Sequence, residues 1–320
     1  MNLTATQRPV LLIKSGGLAA MDEWRAAFSE FAPEIDVRQW DDPTLDVNAV
    51  QYVLVWQPDA GRIAQFPNLK AIISSAAGVD HILADTTLPP ATPIARMVTQ
   101  ETVQRMAEFT LMASLMLLKD MPRIINQQQR RVWQEFATPR TALDTRVGVM
   151  GLGALGLACA RLHARMGFAT AGWARSPRTL DEVECYAGTA EQVAFLRRTD
   201  ILICLLPDTP DTRHIINAEL LSLLPPGAAV INVGRGAHLQ PPDLLAALDS
   251  GQISRALLDV FDVEPLPPDS PYWHHPRILV TPHAAATPSR RERARQAADV
   301  IRAVNSGAPI PHKYDRQRGY

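Results

Sequence analysis

Apolar runs and segments of helical spacing alternate along most of the chain. A continuous apolar run predicts a strand that is covered on both faces, as in a parallel sheet. Such runs, or alternation at 34–39, predict strands at residues 10–13, 34–39, 50–56, 69–74, 146–150, 169–174, 201–206, 229–233, 256–260 and 277–281. Helical spacing is found at residues 19–31, 99–121, 157–164, 220–224, 243–248 and 289–303. Strands that alternate with helices predict an α/β fold with parallel sheets.

A proline-rich passage at 88–93 interrupts this alternation, and we interpret it as the crossing into a second domain. The helix at 99–121 follows it. Its apolar side is predicted to contain Met106, Phe109, Met112, Ala113, Leu117 and Leu118. A helix this long and apolar favours a partner beyond its own domain, so we predict a homodimer through residues 100–121. Packing on its own sheet is the alternative.

Composition agrees with two domains that each have a core, because the chain has 320 residues of which 47% are hydrophobic. The formal net charge of −1 gives no general attraction to nucleic acids or to acidic membranes. We interpret the arginines of the helix at 289–303 as a solvated face. Neither a nucleic acid nor a membrane is therefore an expected partner.

The expected compartment is the cytoplasm. Cys159, Cys185 and Cys204 are few, odd in number and without metal-ligand spacing, so they are predicted to be reduced thiols, and no metal site is expected. The polar start, Met1 to Pro9, leads directly into a strand and does not resemble a signal peptide. The apolar stretch at 109–118 is about half the length of a membrane span.

The turn after the predicted strand at 146–150 has the pattern G-x-G-x-x-G, with glycines at 151, 153 and 156. In a strand–turn–helix unit, Gly151 can form the tight turn, Gly153 lets the backbone approach a pyrophosphate, and Gly156 lets helix and strand pack closely. The phosphates would lie at the N-terminus of the helix, against Ala154 and Leu155. The motif alone is a weak indication, because glycine-rich turns are common.

The next predicted strand ends in Arg175, Ser176 and Arg178, where an NAD-specific fold has an acidic residue for the ribose 2′-hydroxyl. Two guanidinium groups and a hydroxyl suit a 2′-phosphate instead. We assign Asp181 and Glu182 to the start of the following helix. NADPH is thus the favoured cofactor and NADH a weaker alternative, unless these arginines belong to a solvated turn.

Arg235, Glu264 and His283 each follow a predicted strand of the same sheet, so parallel strands would bring all of them to one carboxyl edge. This set of groups suits the reduction of a 2-keto acid. Arg235 could bind a carboxylate through two hydrogen bonds and polarise the ketone, His283 could supply the proton, and Glu264 could stabilise the imidazolium. Taken singly, each residue could also belong to an ordinary turn or loop.

Two further features lie at strand ends in the N-terminal part. Trp56 ends one predicted strand, and the small residues Ala76, Ala77 and Gly78 precede Val79 after another. A loop of small residues keeps side chains away, so its N–H groups could hold a carboxylate. An ordinary helix start before Val79 is the alternative.

These motifs together resemble the four signatures of the D-isomer-specific 2-hydroxyacid dehydrogenases. The resemblance is carried by residues 147–156, Gly234-Arg235-Gly236, residues 258–265 and Thr281-Pro282-His283. Smaller details resemble the bacterial A-type glyoxylate/hydroxypyruvate reductase branch of that family: Trp-x-Arg-Ser at 173–176, Leu-Pro-Asp-Thr-Pro at 206–210, and the C-terminal residues 315–320.

The resemblance implies two Rossmann-like, doubly wound domains with the active site in the cleft between them. Residues 1–95 with 289–320 would form a flavodoxin-like substrate-side domain, and 96–288 the dinucleotide-binding domain. The cofactor would also contact Leu206, Pro207, Val233, Gly234 and Asp259. The substrate would contact Trp56, the backbone of Ala77, Gly78 and Val79, and the side chains of Arg235 and His283.

The expected reaction is NADPH-dependent reduction of glyoxylate to glycolate and of hydroxypyruvate to D-glycerate, with His283 as proton donor. A bulkier 2-keto acid such as phenylpyruvate is one alternative, because the size of the substrate pocket does not follow from the motifs. A dinucleotide-sensing binding protein without catalysis is the other, although a sensor needs no proton donor.

Overall fold

The computed structural model describes residues 8–319, so the predicted polar start of the chain lies mostly outside the described residues. Its strands are β1 Val10–Lys14, β2 Asp36–Gln39, β3 Val50–Val55, β4 Ala71–Ser74, β5 Ile94–Ala95, β6 Arg146–Met150, β7 Ala169–Ala174, β8 Glu184–Ala187, β9 Ile201–Cys204, β10 Ala228–Asn232, β11 Ile253–Leu258 and β12 Ile278–Val280. Each strand predicted from an apolar run is present, with ends that shift by a few residues.

The α-helices cover the segments between these strands and the C-terminal part. They are α1 Met21–Phe31, α2 Asp80–Leu83, α3 Gln100–Leu118, α4 Met121–Arg130, α5 Ala154–Met166, α6 Gly188–Arg197, α7 Ala218–Leu223, α8 Pro241–Ser250 and α9 Arg290–Ser306. Several ends follow from local sequence: Gly251 ends α8 in the left-handed region, and the Ser289 side chain accepts a hydrogen bond at the start of α9.

The described residues divide into two compact units. The first comprises residues up to Glu101 together with those from Thr287 onward, and the second is Thr102–Ala286. The sheet of the first unit has the strand order β2-β1-β3-β4-β5, which is the flavodoxin-like order. The sheet of the second has the order β12-β11-β10-β9-β6-β7-β8, a Rossmann order extended by one strand. The strands pair in parallel, which confirms the predicted pair of Rossmann-like α/β domains.

Successive side chains of a strand point to opposite faces of the sheet, and in both units the two faces are covered. In β1, Leu11 and Ile13 belong to one buried cluster, whereas Val10 and Leu12 belong to another. The central strands of the second sheet divide in the same way between two clusters. Burial on both faces is the reason why these strands have continuous apolar sequences.

The helix predicted at 99–121 is in fact two helices. α3 ends at Leu118, and Asp120 adopts a left-handed conformation with φ of 58° before α4 begins. Pro122 occupies the first turn of α4, where its missing N–H has no helical partner to lose. The carboxylate of Asp120 pairs with Arg255 at 2.7 Å, which fixes this break.

The apolar side predicted for α3 is only partly buried. Met106, Ala113 and Leu117 lie in the core of the second unit, but Met112 is 43% exposed. Helical spacing gives the direction of each side chain around the axis but not which neighbours cover it.

The prediction that Asp181 and Glu182 begin a helix is wrong. Both residues lie in a turn before the edge strand β8, and α6 begins only at Gly188. Val183 is buried, and the indole N–H of Trp173 donates to the carbonyl oxygen of Gly188 at 2.8 Å, so β8 is held against β7. An edge strand has a neighbour on one side only, and its sequence therefore has no apolar run to reveal it.

The interpretation of the α9 arginines as a solvated face is wrong for Arg293. Arg293 lies over the ring of Trp24, with 5.3 Å from guanidinium carbon to ring centroid, and it donates to the Ser15 hydroxyl. Burial and the neighbouring charge of Arg290 lower the pKa of Arg293. This arginine therefore belongs to the packing of the first unit.

All three cysteines are free thiols, and burial raises the pKa of Cys159 and of Cys204 to about 12. Among residues 8–319, no helix is long and apolar enough to cross a membrane. Over the same range, no group of His, Cys, Asp and Glu side chains has a geometry suited to holding a metal ion.

Candidate active site

The glycine turn after β6 has the geometry that a dinucleotide-binding turn requires. Gly151 has φ of 101°, and a Cβ there would lie 2.7 Å from the carbonyl oxygen of Leu205. A Cβ on Gly156 would overlap the carbonyl oxygen of Gly151, so this position also requires glycine. Gly153 caps α5 and has open space where its Cβ would be. The first turn of α5, beginning at Ala154, can therefore accept a pyrophosphate.

The end of β7 presents positive charge. Arg175, Ser176 and Arg178 are all exposed, and the residues from 174 to 178 include no acidic side chain. Gly188, which begins α6, has φ of 64°, and a Cβ there would lie 4.0 Å from the carbonyl oxygen of Arg175. Arg175 and Arg178 thus come directly after β7, which pairs with β6, the strand that leads into the glycine turn.

The Arg235 turn follows β10 and is held by the last residue of that strand. Asn232 is fully buried; its side-chain oxygen accepts from the N–H of Gly234 at 3.2 Å, and its side-chain nitrogen donates to the carbonyl oxygen of Arg235 at 2.9 Å. The guanidinium of Arg235 donates to the carbonyl oxygen of Gly234 at 2.7 Å. The backbone on both sides of Arg235 is therefore fixed to the end of the sheet.

Gly236 brings a second chain segment against this turn. A Cβ on Gly236 would overlap backbone atoms of Phe261 and Asp262, so only glycine permits the approach. The segment that comes this close follows β11 and contains Glu264. One carboxylate oxygen of Glu264 accepts from the N–H of Phe261 at 2.9 Å, which fixes the side chain.

Glu264 and His283 form a hydrogen-bonded pair. Nδ1 of His283 lies 2.7 Å from Oε2 of Glu264. Because an ionised carboxylate only accepts, the proton of this bond belongs to Nδ1, an assignment made from the hydrogen-bond geometry. Nε2 is then the ring nitrogen that does not contact Glu264. The His283 and Glu264 side chains are 36% and 30% exposed, so the pair is accessible to a small molecule.

The surroundings of Glu264 keep it charged. Burial alone would raise its pKa, but hydrogen bonds from His283 and from the N–H of Phe261 lower it, as do the charges of His283 and Arg235. The net result is a pKa below the usual range for glutamate. Arg235 is therefore close enough to Glu264 to act on it, and the three predicted groups share one edge of the second sheet.

The loop that contains His283 is supported by Asp259. The carboxylate of Asp259 is 1% exposed and accepts from the Thr281 hydroxyl at 2.6 Å and from the N–H groups of Ala284 and Ala285 at 2.9 and 3.1 Å. The N–H of His283 donates to the carbonyl oxygen of Asp259 at 2.9 Å. His283 itself has φ of 51°, a left-handed conformation uncommon for a residue with a side chain.

His238, which the sequence analysis did not single out, links two of the predicted segments. The ring is fully buried; Nδ1 lies 3.0 Å from the N–H of Arg235, and Nε2 lies 3.1 Å from the carbonyl oxygen of Pro207. The neighbouring Leu206 and Val233 are 8% and 5% exposed. The segments after β9 and β10 are therefore held to each other by one side chain.

The loop 76–79 of the first unit is also tied down by side chains that the motifs did not indicate. The Ser74 hydroxyl donates to the carbonyl oxygen of Gly78 at 2.8 Å and accepts from the N–H of Ala76 at 3.1 Å. Arg96 donates to the carbonyl oxygen of Ala77 at 2.7 Å.

Val79 and Trp56 belong to the same part of the first unit. Val79 is 6% exposed and precedes α2. The Trp56 ring lies against the ring of His81, with 4.3 Å between centroids. The first unit therefore contains an ordered loop of small residues with an aromatic group nearby.

Comparison with known proteins identifies the family. Residues 111–285 match the model of the D-isomer specific 2-hydroxyacid dehydrogenase, NAD binding domain. Over 304 residues the chain is 37% identical to a glyoxylate/hydroxypyruvate reductase A of Serratia proteamaculans, an alignment that covers 93% of this chain and 96% of the relative. The chain belongs to the D-isomer-specific 2-hydroxyacid dehydrogenase family. The predicted resemblance is thus confirmed.

Solved structures of other members of this dehydrogenase family have the same fold. A 2-hydroxyacid dehydrogenase of Xanthobacter autotrophicus Py2, in complex with NADPH and MES, is 41% identical with a TM-score of 0.91 and covers 98% of this chain and 100% of its own. An NADPH-dependent glyoxylate/hydroxypyruvate reductase of Sinorhizobium meliloti, in complex with NADP and sulfate, is 36% identical with a TM-score of 0.90 and covers 97% and 99%.

Proposed function

We propose that this family member is an NADPH-preferring reductase of small 2-keto acids, converting glyoxylate to glycolate and hydroxypyruvate to D-glycerate. The observation that carries the proposal is the bond of 2.7 Å between His283 and Glu264 at the sheet edge that also bears Arg235. The names of the relatives in Serratia and Sinorhizobium support the same substrates. A positioned acid and a fixed guanidinium are what reduction of a keto acid requires.

The second unit fits a dinucleotide, because the positions of Gly151, Gly153 and Gly156 leave the start of α5 open to a pyrophosphate. We assign cofactor contacts to this turn, including Ala154 and Leu155, and to Leu206, Pro207, Val233, Gly234 and Asp259. Reduced nicotinamide, when bound, supplies the hydride for the keto carbon. A dinucleotide-binding family model over residues 111–285 supports this assignment.

The proposed roles of the catalytic residues follow from their contacts. Arg235 binds the substrate carboxylate and polarises the keto group, because a guanidinium presents paired N–H donors in a fixed plane. As negative charge develops on the keto oxygen, the Nε2–H of protonated His283 donates a proton to it. Glu264, held ionised by its surroundings, stabilises the imidazolium and fixes the ring through Nδ1.

For the first unit we propose that the N–H groups of Ala77, Gly78 and Val79 bind the substrate carboxylate and that Trp56 limits the size of the substrate. The hydrogen bonds of Ser74 and Arg96 to this loop support a preformed binding surface. A loop held in advance loses less entropy when it binds an anion.

The experiment that tests the function is a set of initial rates of reduced-cofactor oxidation, with glyoxylate, hydroxypyruvate, pyruvate and phenylpyruvate, each with NADPH and with NADH. We expect fast NADPH oxidation with glyoxylate and hydroxypyruvate. Activity confined to phenylpyruvate would keep the mechanism and change the substrate. Tight NADPH binding without any turnover would favour the sensor instead.

Cofactor choice can be tested at Arg175. We expect Arg175→Asp to shift the ratio of kcat/KM values from NADPH toward NADH, since an aspartate repels a 2′-phosphate and accepts from a 2′-hydroxyl. The matched control is Arg161→Asp, which changes an exposed arginine of α5 in the same unit. The 2′-phosphate assignment fails if both variants keep the wild-type ratio.

We also propose a homodimer through α3 and the segment that follows it. Beyond Met112, this region exposes Ile124 (36%), Val132 (43%) and Trp133 (92%). Apolar side chains clustered on one surface mark an interaction site more often than single exposed ones do. A second copy of the chain is the occupant we infer, since most soluble oligomers are symmetric homodimers.

Multi-angle light scattering of Trp133→Asp tests the dimer. We expect wild type to have twice the monomer mass and the variant to dissociate at low concentration, because a charge would be buried in the interface. Leu18→Asp, at a residue of the first unit that is 73% exposed, is the control and should leave the mass unchanged. A monomeric wild type would refute the proposal.

A further inference from the structure

His238 takes no part in the proposed proton transfer, yet it contacts the backbone of two of the segments that bear proposed ligand contacts. Its ring is 0% exposed and lies between the Arg235 turn and Pro207. A buried histidine that donates from one nitrogen and accepts at the other has one defined neutral tautomer. Here the Arg235 N–H points at Nδ1, so the ring proton is on Nε2 and is donated to the carbonyl oxygen of Pro207.

The Arg235 peptide groups are then held from two sides. The carbonyl oxygen of Arg235 accepts from the side chain of Asn232 and, at 3.2 Å, from the backbone N–H of His238. The backbone N–H of Arg235 donates to Nδ1 of His238. Gly234 leaves room for the ring, since a Cβ there would lie 2.8 Å from Nδ1. The direction of the guanidinium depends on this backbone, because side-chain direction follows from φ and ψ.

We propose that His238 is a positioning residue for the reductase, with a separate task for each ring nitrogen. Nδ1 orients Arg235 toward the substrate carboxylate, and Nε2 holds the Leu206–Pro207 segment against the cofactor. The inference rests on the function proposed above and adds to it a link between substrate and cofactor segments. It does not involve His238 in proton transfer.

Two substitutions can separate the tasks, because each amide side chain reproduces one nitrogen of the ring. In His238→Asn the amide oxygen takes the place of Nδ1 and can still accept from Arg235, but the group is too short to reach Pro207. In His238→Gln the amide nitrogen takes the place of Nε2 and can still donate to Pro207, but no acceptor remains for Arg235.

For His238→Gln we expect KM for the keto acid to rise roughly tenfold or more while NADPH affinity is kept, since a buried N–H loses its partner. For His238→Asn we expect the reverse, with weaker NADPH binding and a KM near that of wild type. His163→Gln is the control: this histidine is equally buried in the same unit, with Ser114 and the carbonyl of Cys159 as partners. It should lower Tm without changing either constant.

Equal changes of KM in the two His238 variants would overturn the proposal, as would a folded His238→Gln variant with wild-type KM. Hydrogen exchange at the Arg235 amide gives a readout that needs no turnover. Protection should be lost in His238→Gln and kept in His238→Asn. If wild type reduces no keto acid, the proposed function fails, yet this exchange pattern still tests the link through His238.

Discussion

Replacing His283 with alanine is expected to lower kcat by a factor of about 10²–10⁴, the usual contribution of a positioned general acid. The dissociation constant of NADPH should stay close to that of wild type. The reason is local: Nδ1 of His283 is engaged by Glu264 at 2.7 Å, so removal of the ring deletes the donor at Nε2 but not the glycine turn on β6. Steady-state rates with glyoxylate and NADPH titration would measure the two effects.

Two further variants test whether the loss of kcat comes from the missing proton donor or from an indirect effect. His283→Asn suits the left-handed backbone at φ of 51° better than alanine does, so an equal loss of kcat would exclude backbone strain as its origin. Glu264→Gln should lower kcat less than loss of the imidazole, because the ring keeps a hydrogen-bond partner but loses the charge that stabilises the imidazolium. Retained turnover in His283→Ala would remove His283 from its proposed role.

Replacing Arg235 with lysine is expected to lower kcat/KM for glyoxylate by roughly 10- to 100-fold, as expected for the loss of one charge-assisted hydrogen bond. Lysine keeps the charge but cannot hold a carboxylate through two parallel bonds. The change also removes the bond of 2.7 Å from the guanidinium to the carbonyl oxygen of Gly234, which fixes the direction of the side chain.

The control for Arg235→Lys is Arg255→Lys, in the same unit. Arg255 pairs with Asp120 at the break between α3 and α4, so its replacement should change Tm rather than kinetics. If Arg235→Lys has the kinetics of wild type, the group that binds the carboxylate must be sought elsewhere, first at the loop 76–79.

The central strands and the ends at which Arg235, Glu264 and His283 lie could be predicted because burial on both faces produces apolar runs. The edge strand β8 could not, because it pairs only with β7 and none of its four residues is fully buried. The break between α3 and α4 was also missed. It depends on the conformation of Asp120 and on its pairing with Arg255, which is distant in sequence.

The side chains that hold the site in place could not be identified from the sequence, for a related reason. Asn232, His238 and Ser74 form hydrogen bonds to backbone groups. Every residue has such groups, so the sequence does not show which of them a side chain will contact. Asp259 was singled out through the family resemblance as a cofactor contact. Its carboxylate also bonds to Thr281, Ala284 and Ala285, a task that only the fold reveals.

The left-handed conformation of His283 bears on how such a site can change in evolution. Substitutions by most residues at this position would place a side chain in strained backbone, whereas glycine and asparagine tolerate it. In a descendant that lost catalysis but kept the fold, we therefore expect glycine or asparagine at this position more often than residues that resemble histidine chemically. Among homologous sequences, the residue aligned with His283 would distinguish lineages that still transfer protons from those that only bind.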